Sequence, residues 1–206
     1  MVRHVLFDAD DVLQQAPQTP QEMARPHLGD RAADFIRAAF TDERPTLAGQ
    51  GDLLSLLAAL LVEYGVTTDV EQVFADIWLQ VRVSQESLAL VAQLRGSGYG
   101  VHLGTNQDRY RGRWMRDELG YGDLFDVECW SYELGHAKPS PDFFTAAACR
   151  IGAAPETILF IDDRQDNVTA ARGTGMPAIR WDLSQPHELL VRQLVEHGVD
   201  PQVAIT

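Results

Sequence analysis

Four stretches of this chain carry groups that could do chemistry, and each belongs to the end of an apolar run. Val2-Arg3-His4-Val5-Leu6-Phe7 switches abruptly to Asp8-Ala9-Asp10-Asp11, and Tyr99 to Gly104 leads into Thr105-Asn106. Ile158-Leu159-Phe160-Ile161 ends in Asp162-Asp163, and Lys138 stands in the loop beyond a run from Phe125 to Trp130. Taken singly these signals are weak, because Asp bonds its own backbone in turns and an acid pair serves equally well as a helix cap. Taken together they place two carboxylates, a hydroxyl with an amide, a lysine and an acid pair at the same end of four different strands. That is where open parallel sheets bind ligands.

Phosphoryl transfer through a covalent aspartyl-phosphate needs such a set. A carboxylate nucleophile splits one difficult displacement into two easier ones. The nucleophile and the phosphate are both anions, so a hard, oxygen-seeking cation such as Mg²⁺ must neutralise them, and Asp8 with Asp162 and Asp163 can supply its carboxylate nest. Lys138 adds a compact positive charge, and the Thr105 hydroxyl with nearby N–H groups can hold phosphate oxygens. The leaving alkoxide requires a proton and the later water a base, which one second carboxyl group, Asp10, can provide in turn.

The elements that position these groups follow from periodicity. After the first strand comes a stretch with proline and glutamine, Gln14 to Pro26, that shows no useful repeat. Three helical patterns follow: Ala32 to Phe40; Asp52 to Tyr64 with Leu53, Leu56, Leu57, Leu60 and Leu61 on one face; and a third opened by a Thr68-x-x-Glu71 capping box that carries Val73, Phe74, Ile77 and Trp78. From about Ser84 helices and strands alternate to the end. Alternation of this kind implies an α/β fold, a parallel sheet with helices on both faces, and makes the helical block an insertion after the first strand. The expected division is a catalytic core over residues 1–15 and 84–206 and a helical cap over residues 16–83.

Composition narrows the partners. With 206 residues, 45% hydrophobic and 23% charged, the chain can bury a full core. Its formal charge of −13 repels nucleic acid and anionic lipid surfaces. Cys129 and Cys149 make no disulfide framework, and no apolar run is long enough for a membrane span. The expectation is a cytoplasmic protein that binds neither nucleic acid nor membrane.

Phe7-Asp8-Ala9-Asp10-Asp11-Val12-Leu13, Leu103-Gly104-Thr105-Asn106, Gly135-His136-Ala137-Lys138-Pro139-Ser140-Pro141, and Phe160-Ile161-Asp162-Asp163 with Asn167 resemble the four ordered motifs of the haloacid dehalogenase-like hydrolase superfamily. The resemblance implies a Rossmannoid core, a helical cap after the first motif and a Mg²⁺-dependent phosphatase acting on a small phosphorylated metabolite. It further implies that Asp8 is nucleophile and metal ligand, and that Asp10 is acid/base with its main-chain carbonyl on the metal. Thr105, Asn106 and Lys138 fall at the phosphate, and Asp163 falls on the metal with Asp162 as a further or water-mediated ligand. The short helical cap and the spacing of the lysine loop extend the resemblance to members acting on sugar phosphates such as glucose 1-phosphate.

Dehalogenases of the superfamily need neither a metal nor an acid at the position of Asp10, so that activity is not expected. A phosphomutase would use the same nucleophile and cation, and a catalytically silent binding module the same fold; the motifs do not separate the mutase from the hydrolase, while a complete set of charged groups argues against the silent module. One departure stands out. Asp11 occupies a position where the family's phosphatases usually have glycine, either as a plain turn residue or as an extra carboxylate that strengthens cation binding or disfavours highly charged substrates. In the cap, Arg44, Gln50 and Trp78 are candidate substrate contacts, against which Trp78 shares the apolar stripe of Phe74 and Ile77 and Arg44 follows two acids as a solvated charge would.

Overall fold

A computed structural model of the chain describes residues 1–203. In chain order it contains β1 (His4–Phe7), β2 (Gln14–Gln15), α1 (Pro20–Leu28), α2 (Ala32–Asp42), α3 (Arg44–Leu47), α4 (Leu53–Glu63), α5 (Val70–Trp78) and β3 (Arg82–Val83). These are followed by α6 (Gln85–Gly96), β4 (Gly100–Thr105), α7 (Arg109–Asp117), α8 (Tyr121–Leu124), β5 (Val127–Trp130) and α9 (Ser131–Leu134). The last elements are α10 (Pro141–Ile151), β6 (Ile158–Asp162), α11 (Gln165–Gly173), β7 (Ala178–Arg180) and α12 (His187–Glu196). Five strands make a parallel sheet in the order β5-β4-β1-β6-β7.

The apolar strand runs are accounted for by burial on both faces. Alternate residues feed two separate cores. Val5 and Phe7 of β1 join Leu159 and Ile161 of β6 on one side, while Leu6 joins Ile158 and Phe160 on the other. β1 lies at the centre, with His4 level with Gly100 of β4 and with Ile158 of β6. The acids that follow β1 and the Asp162 that ends β6 therefore emerge side by side. This is the α/β fold, sheet covered on both faces, that the sequence implies.

Helices α1 to α5 form a layer with a core of their own, built on residues such as Phe35, Ile36, Leu57, Val73 and Ile77. A fully buried leucine or phenylalanine contributes about 2 kcal/mol, so this core is a substantial part of what holds the layer together. The expected helices over 32–40 and 52–64 are α2 and α4, the latter capped by Asp52 accepting from the Ser55 N–H. Two expectations are corrected. Part of the stretch that shows no useful repeat is α1, started by a capping box in which the Thr19 hydroxyl accepts from the Glu22 N–H and the Glu22 carboxylate from the Thr19 N–H. The third helix is capped by Asp69 rather than Thr68, its carboxylate accepting from the N–H of Glu71 at 2.8 Å.

The chain leaves for this layer along β2 and returns along β3, and the two pair antiparallel, Gln14 opposite Val83 and Gln15 opposite Arg82. A second junction lies at Gly49. A Cβ at this position would overlap the carbonyl oxygen of Tyr132 in α9, so the backbone approach there requires glycine. Among the described residues no helix is long and apolar enough to cross a membrane.

Candidate active site

Lys138 is the centre of the site. Its side chain is almost wholly enclosed, and Nζ lies 2.9 Å from Asp8 Oδ1 and 2.8 Å from Asp162 Oδ2 while donating at 2.9 Å to the carbonyl of Gly104. Asn106 fixes the loop that delivers it: Asn106 Oδ1 accepts from the Lys138 N–H at 2.8 Å, and its Nδ2 donates to the Lys138 carbonyl at 2.9 Å. Of the backbone or amide of Asn106 expected at a phosphate, the amide is thus engaged in holding the lysine loop. Thr105 is buried at the end of β4, its Oγ1 accepting from Gln107 Nε2 at 3.1 Å.

The carboxylates divide by partner. Burial disfavours charge on Asp162, but Lys138, the Arg164 N–H at 2.8 Å and the Asn167 amide outweigh it and hold the carboxyl below its ordinary range. Burial also opposes charge on Lys138, and Asp162 and Asp8 overcome it. Asp8 has no such surplus. Burial first, then the negative charges of Asp162 and Asp10, push its carboxyl well above the usual range despite Lys138. Asp163, half buried, is pushed to about 6 by burial and by its neighbours Asp162 and Asp11. Asp8, Asp162 and Asp163 each offer an oxygen, all within 4.8 Å of one another. Three carboxylates around one lysine leave negative charge unneutralised, and an all-oxygen donor set fits a hard divalent cation.

Asp10 is held by a different set of partners. Arg111 of α7 grips it in a two-pronged ion pair, Nη1 to Oδ2 at 2.6 Å and Nη2 to Oδ1 at 2.7 Å, and Gln14 and Gln107 each add a side-chain N–H at 2.9 Å. Although 42% of the Asp10 side chain reaches solvent, Arg111 reaches it with only 12%. Burial opposes ionisation, but the guanidinium and the added donors hold Asp10 far below the ordinary carboxylate range. Arg111 Nε in turn donates at 2.7 Å to the carbonyl of Trp78, the last residue of α5. Neither Arg111 nor Gln107 stands out in the sequence, since α7 has a mostly charged face and Asp10 lies about a hundred positions away.

Between the helical layer and the sheet a cleft of about 370 Å³ opens over Asp10. Met23, Phe40, Leu47, Ile77 and Trp78 supply its apolar wall, and Asp10, Asp11, Gln107, Asp108 and Arg111 its polar floor. Of the three cap residues singled out from the sequence, Trp78 lines the cleft as well as packing in the layer's core, while Arg44 and Gln50 are exposed and do not line it. The residue beside Arg44 does: Glu43 faces the cleft and accepts from Trp78 Nε1 at 3.3 Å. Asp11 adopts the left-handed conformation, φ 59°, that glycine usually supplies.

This sheet, with Asp8 after β1 beside a buried lysine and the acid pair Asp162-Asp163 at the end of β6, is the arrangement of a known class. Residues 2–175 match the family model for haloacid dehalogenase-like hydrolases. The chain belongs to that family, in its phosphatase branch. It is 36% identical to a phosphatase of Mycobacterium tuberculosis over 79% of this chain and 74% of that protein. It is also 24% identical to the glyceraldehyde 3-phosphate phosphatase of Methanopyrus kandleri over 87% of this chain and 84% of the relative. The fold matches a HAD family enzyme of Bacteroides thetaiotaomicron, solved in complex with magnesium and inorganic phosphate, with a TM-score of 0.79 and 20% identity over 92% of this chain and 99% of that one.

Proposed function

We propose that this chain is a Mg²⁺-dependent phosphatase that hydrolyses a small phosphorylated metabolite through an aspartyl-phosphate on Asp8. The observation that carries the reading is the triad of carboxylates, Asp8, Asp162 and Asp163, two of them paired with the buried Lys138, next in the chain to the Asp10 and Asp11 that line the cleft. Asp8 Oδ attacks phosphorus as the ester P–O bond breaks, and the leaving oxygen takes a proton from Asp10, which Arg111 otherwise holds ionised and which must first take that proton from solvent. Water then attacks the acyl phosphate and gives its proton to Asp10, releasing inorganic phosphate and regenerating the Asp8 carboxylate. Lys138 and Thr105 bind the phosphoryl oxygens, and Asn106 serves them by fixing the lysine loop.

Asp8, Asp163 and the Asp10 main-chain carbonyl would hold Mg²⁺, with Asp162 orienting the set through Lys138 and Asn167. Bound there, the cation supplies charge neutralisation between the attacking carboxylate and the phosphate. Residues 16–83 form a cap whose movement on the β2–β3 connection admits substrate, and closing it excludes water. The purified chain should hydrolyse p-nitrophenyl phosphate and members of a broad phosphate-ester panel with Mg²⁺ and lose that activity in chelator. No turnover across the panel would overturn the reading.

Asp11 raises the charge facing Asp163 and faces the cleft itself. On this reading Asp11→Gly weakens Mg²⁺ binding about threefold, the scale of one partly solvated charge nearby. It also relieves a left-handed non-glycine backbone, so stability in chelator stays level or rises by about 1 kcal/mol. Mg²⁺ titrations of activity and of thermal stability check both. Unchanged metal affinity together with an unchanged substrate profile would leave Asp11 as a turn residue.

A further inference from the structure

The cleft has acceptors to spare and no unspent cation. Glu43 is engaged through one contact, the Trp78 indole, and that neutral donor leaves acceptor capacity on its carboxylate turned toward the space above Asp10. Asp108, on the opposite side, uses Oδ1 to cap α7 through the N–H groups of Tyr110 and Arg111. Arg111 is the one basic side chain that lines the cleft among the described residues, and its guanidinium is committed to Asp10, Gln107 and the Trp78 carbonyl. Facing these polar groups, Met23, Phe40 and Ile77 continue the apolar wall, with Phe40 packed edge-on against Trp78 at 6.1 Å.

We propose that Glu43, set against this wall, selects phosphate esters whose leaving group presents hydroxyls beside an apolar surface and carries no second negative charge. The inference rests on the phosphatase reading and deepens it by assigning the leaving-group class. Hydroxyl donors find the free acceptor of Glu43, and C–H faces pack on Phe40, Met23 and Ile77. A carboxylate on the leaving group finds no uncommitted counter-ion and faces the half-buried Glu43 and the buried Asp108, whose one neighbouring cation in the lining, Arg111, is already paired with Asp10. Burial pushes Glu43 up to about 7 and raises Asp108 as well, so Glu43 carries its full charge only above neutral pH, and the discrimination is read there. One further unpaired like charge within contact distance of a partly solvated carboxylate costs about a factor of ten in transition-state binding.

The test compares size-matched esters on the full chain with Mg²⁺. Glucose 6-phosphate is set against 6-phosphogluconate, and 2-hydroxyethyl phosphate against phosphoglycolate, each read as kcat/KM or, for a slow ester, as inhibition of p-nitrophenyl phosphate hydrolysis. The neutral member of each pair should be favoured about tenfold or more. Glu43→Gln, which keeps an acceptor for the Trp78 indole and drops the charge, should narrow that ratio about threefold, mainly through KM. Equal use of both members by the wild type overturns the selection and leaves the phosphatase reading standing. A ratio unmoved by Glu43→Gln overturns the assignment to Glu43, and turnover of no ester overturns both readings together.

Discussion

Asp8→Asn should abolish steady-state ester hydrolysis, lowering kcat by about 10⁴-fold or more, while making the metal-free protein no less stable and measurably harder to melt. The two halves have one cause. Asp8 is a carboxylate that Lys138 contacts but does not fully compensate, and burial with the charges of Asp162 and Asp10 pushes its carboxyl well above the ordinary range. A group raised in this way opposes folding when ionised, so the isosteric neutral amide removes a cost in chelator. Lys138 keeps its 2.8 Å contact with Asp162 and is not orphaned. With Mg²⁺ the order reverses, because a ligand that binds only the folded state stabilises by mass action and the variant lacks one carboxylate of the nest. Thermal melts with and without Mg²⁺, beside turnover of p-nitrophenyl phosphate, test this. Retained turnover, or a variant less stable than wild type in chelator, would contradict it.

The parts of the site visible in the sequence are those whose geometry is set by the sheet. Asp8, Asp162 and Asp163 could be located because β1 and β6 are uninterrupted apolar runs, and a doubly buried strand admits little else, so the first acid after each run marks its carboxyl end. Lys138 lies eight residues past β5, yet the flanking prolines and the motif around it tied it to the same end. The groups that went unseen are fixed by long-range side-chain contacts. Arg111 acts on Asp10 from 101 positions away, and Glu43 sits between Asp42 and Arg44, a charged run that reads as solvent-facing until α3 turns it toward Trp78.

Helix starts show a related ambiguity. The chain contains two Thr-x-x-Glu quartets, and the one followed by proline, Thr19-Pro20-Gln21-Glu22, is the true capping box. Proline suits the first helical turn, where its missing N–H costs nothing, so the ring that argues against helix elsewhere supports one here. In the other quartet, which opens Thr68-Asp69, the competition goes the other way: Asp69 stands one residue later and its carboxylate is the better acceptor for the exposed N–H groups.

Asp10→Asn should separate esters by their leaving groups. For an alkyl phosphate, whose leaving oxygen needs a proton, kcat/KM should fall about 10²- to 10⁴-fold, the usual worth of a positioned general acid. For p-nitrophenyl phosphate, whose leaving group departs as a stable anion, formation of the aspartyl-phosphate should be little affected. The second step still loses its base. Rapid mixing should then show a burst of nitrophenolate near one equivalent of enzyme, followed by slow turnover, where the wild type shows no comparable slowdown. The structure adds a reason to expect the second step to be sensitive. Arg111, Gln14 and Gln107 hold Asp10 ionised, the form that accepts a proton from water, so the resting enzyme is prepared as a base and must acquire the proton it donates. Asparagine keeps one oxygen for Arg111 but no negative charge, and a thermal melt identifies any loss of folded protein. Equal losses for both esters without a burst would remove Asp10 from both proton transfers.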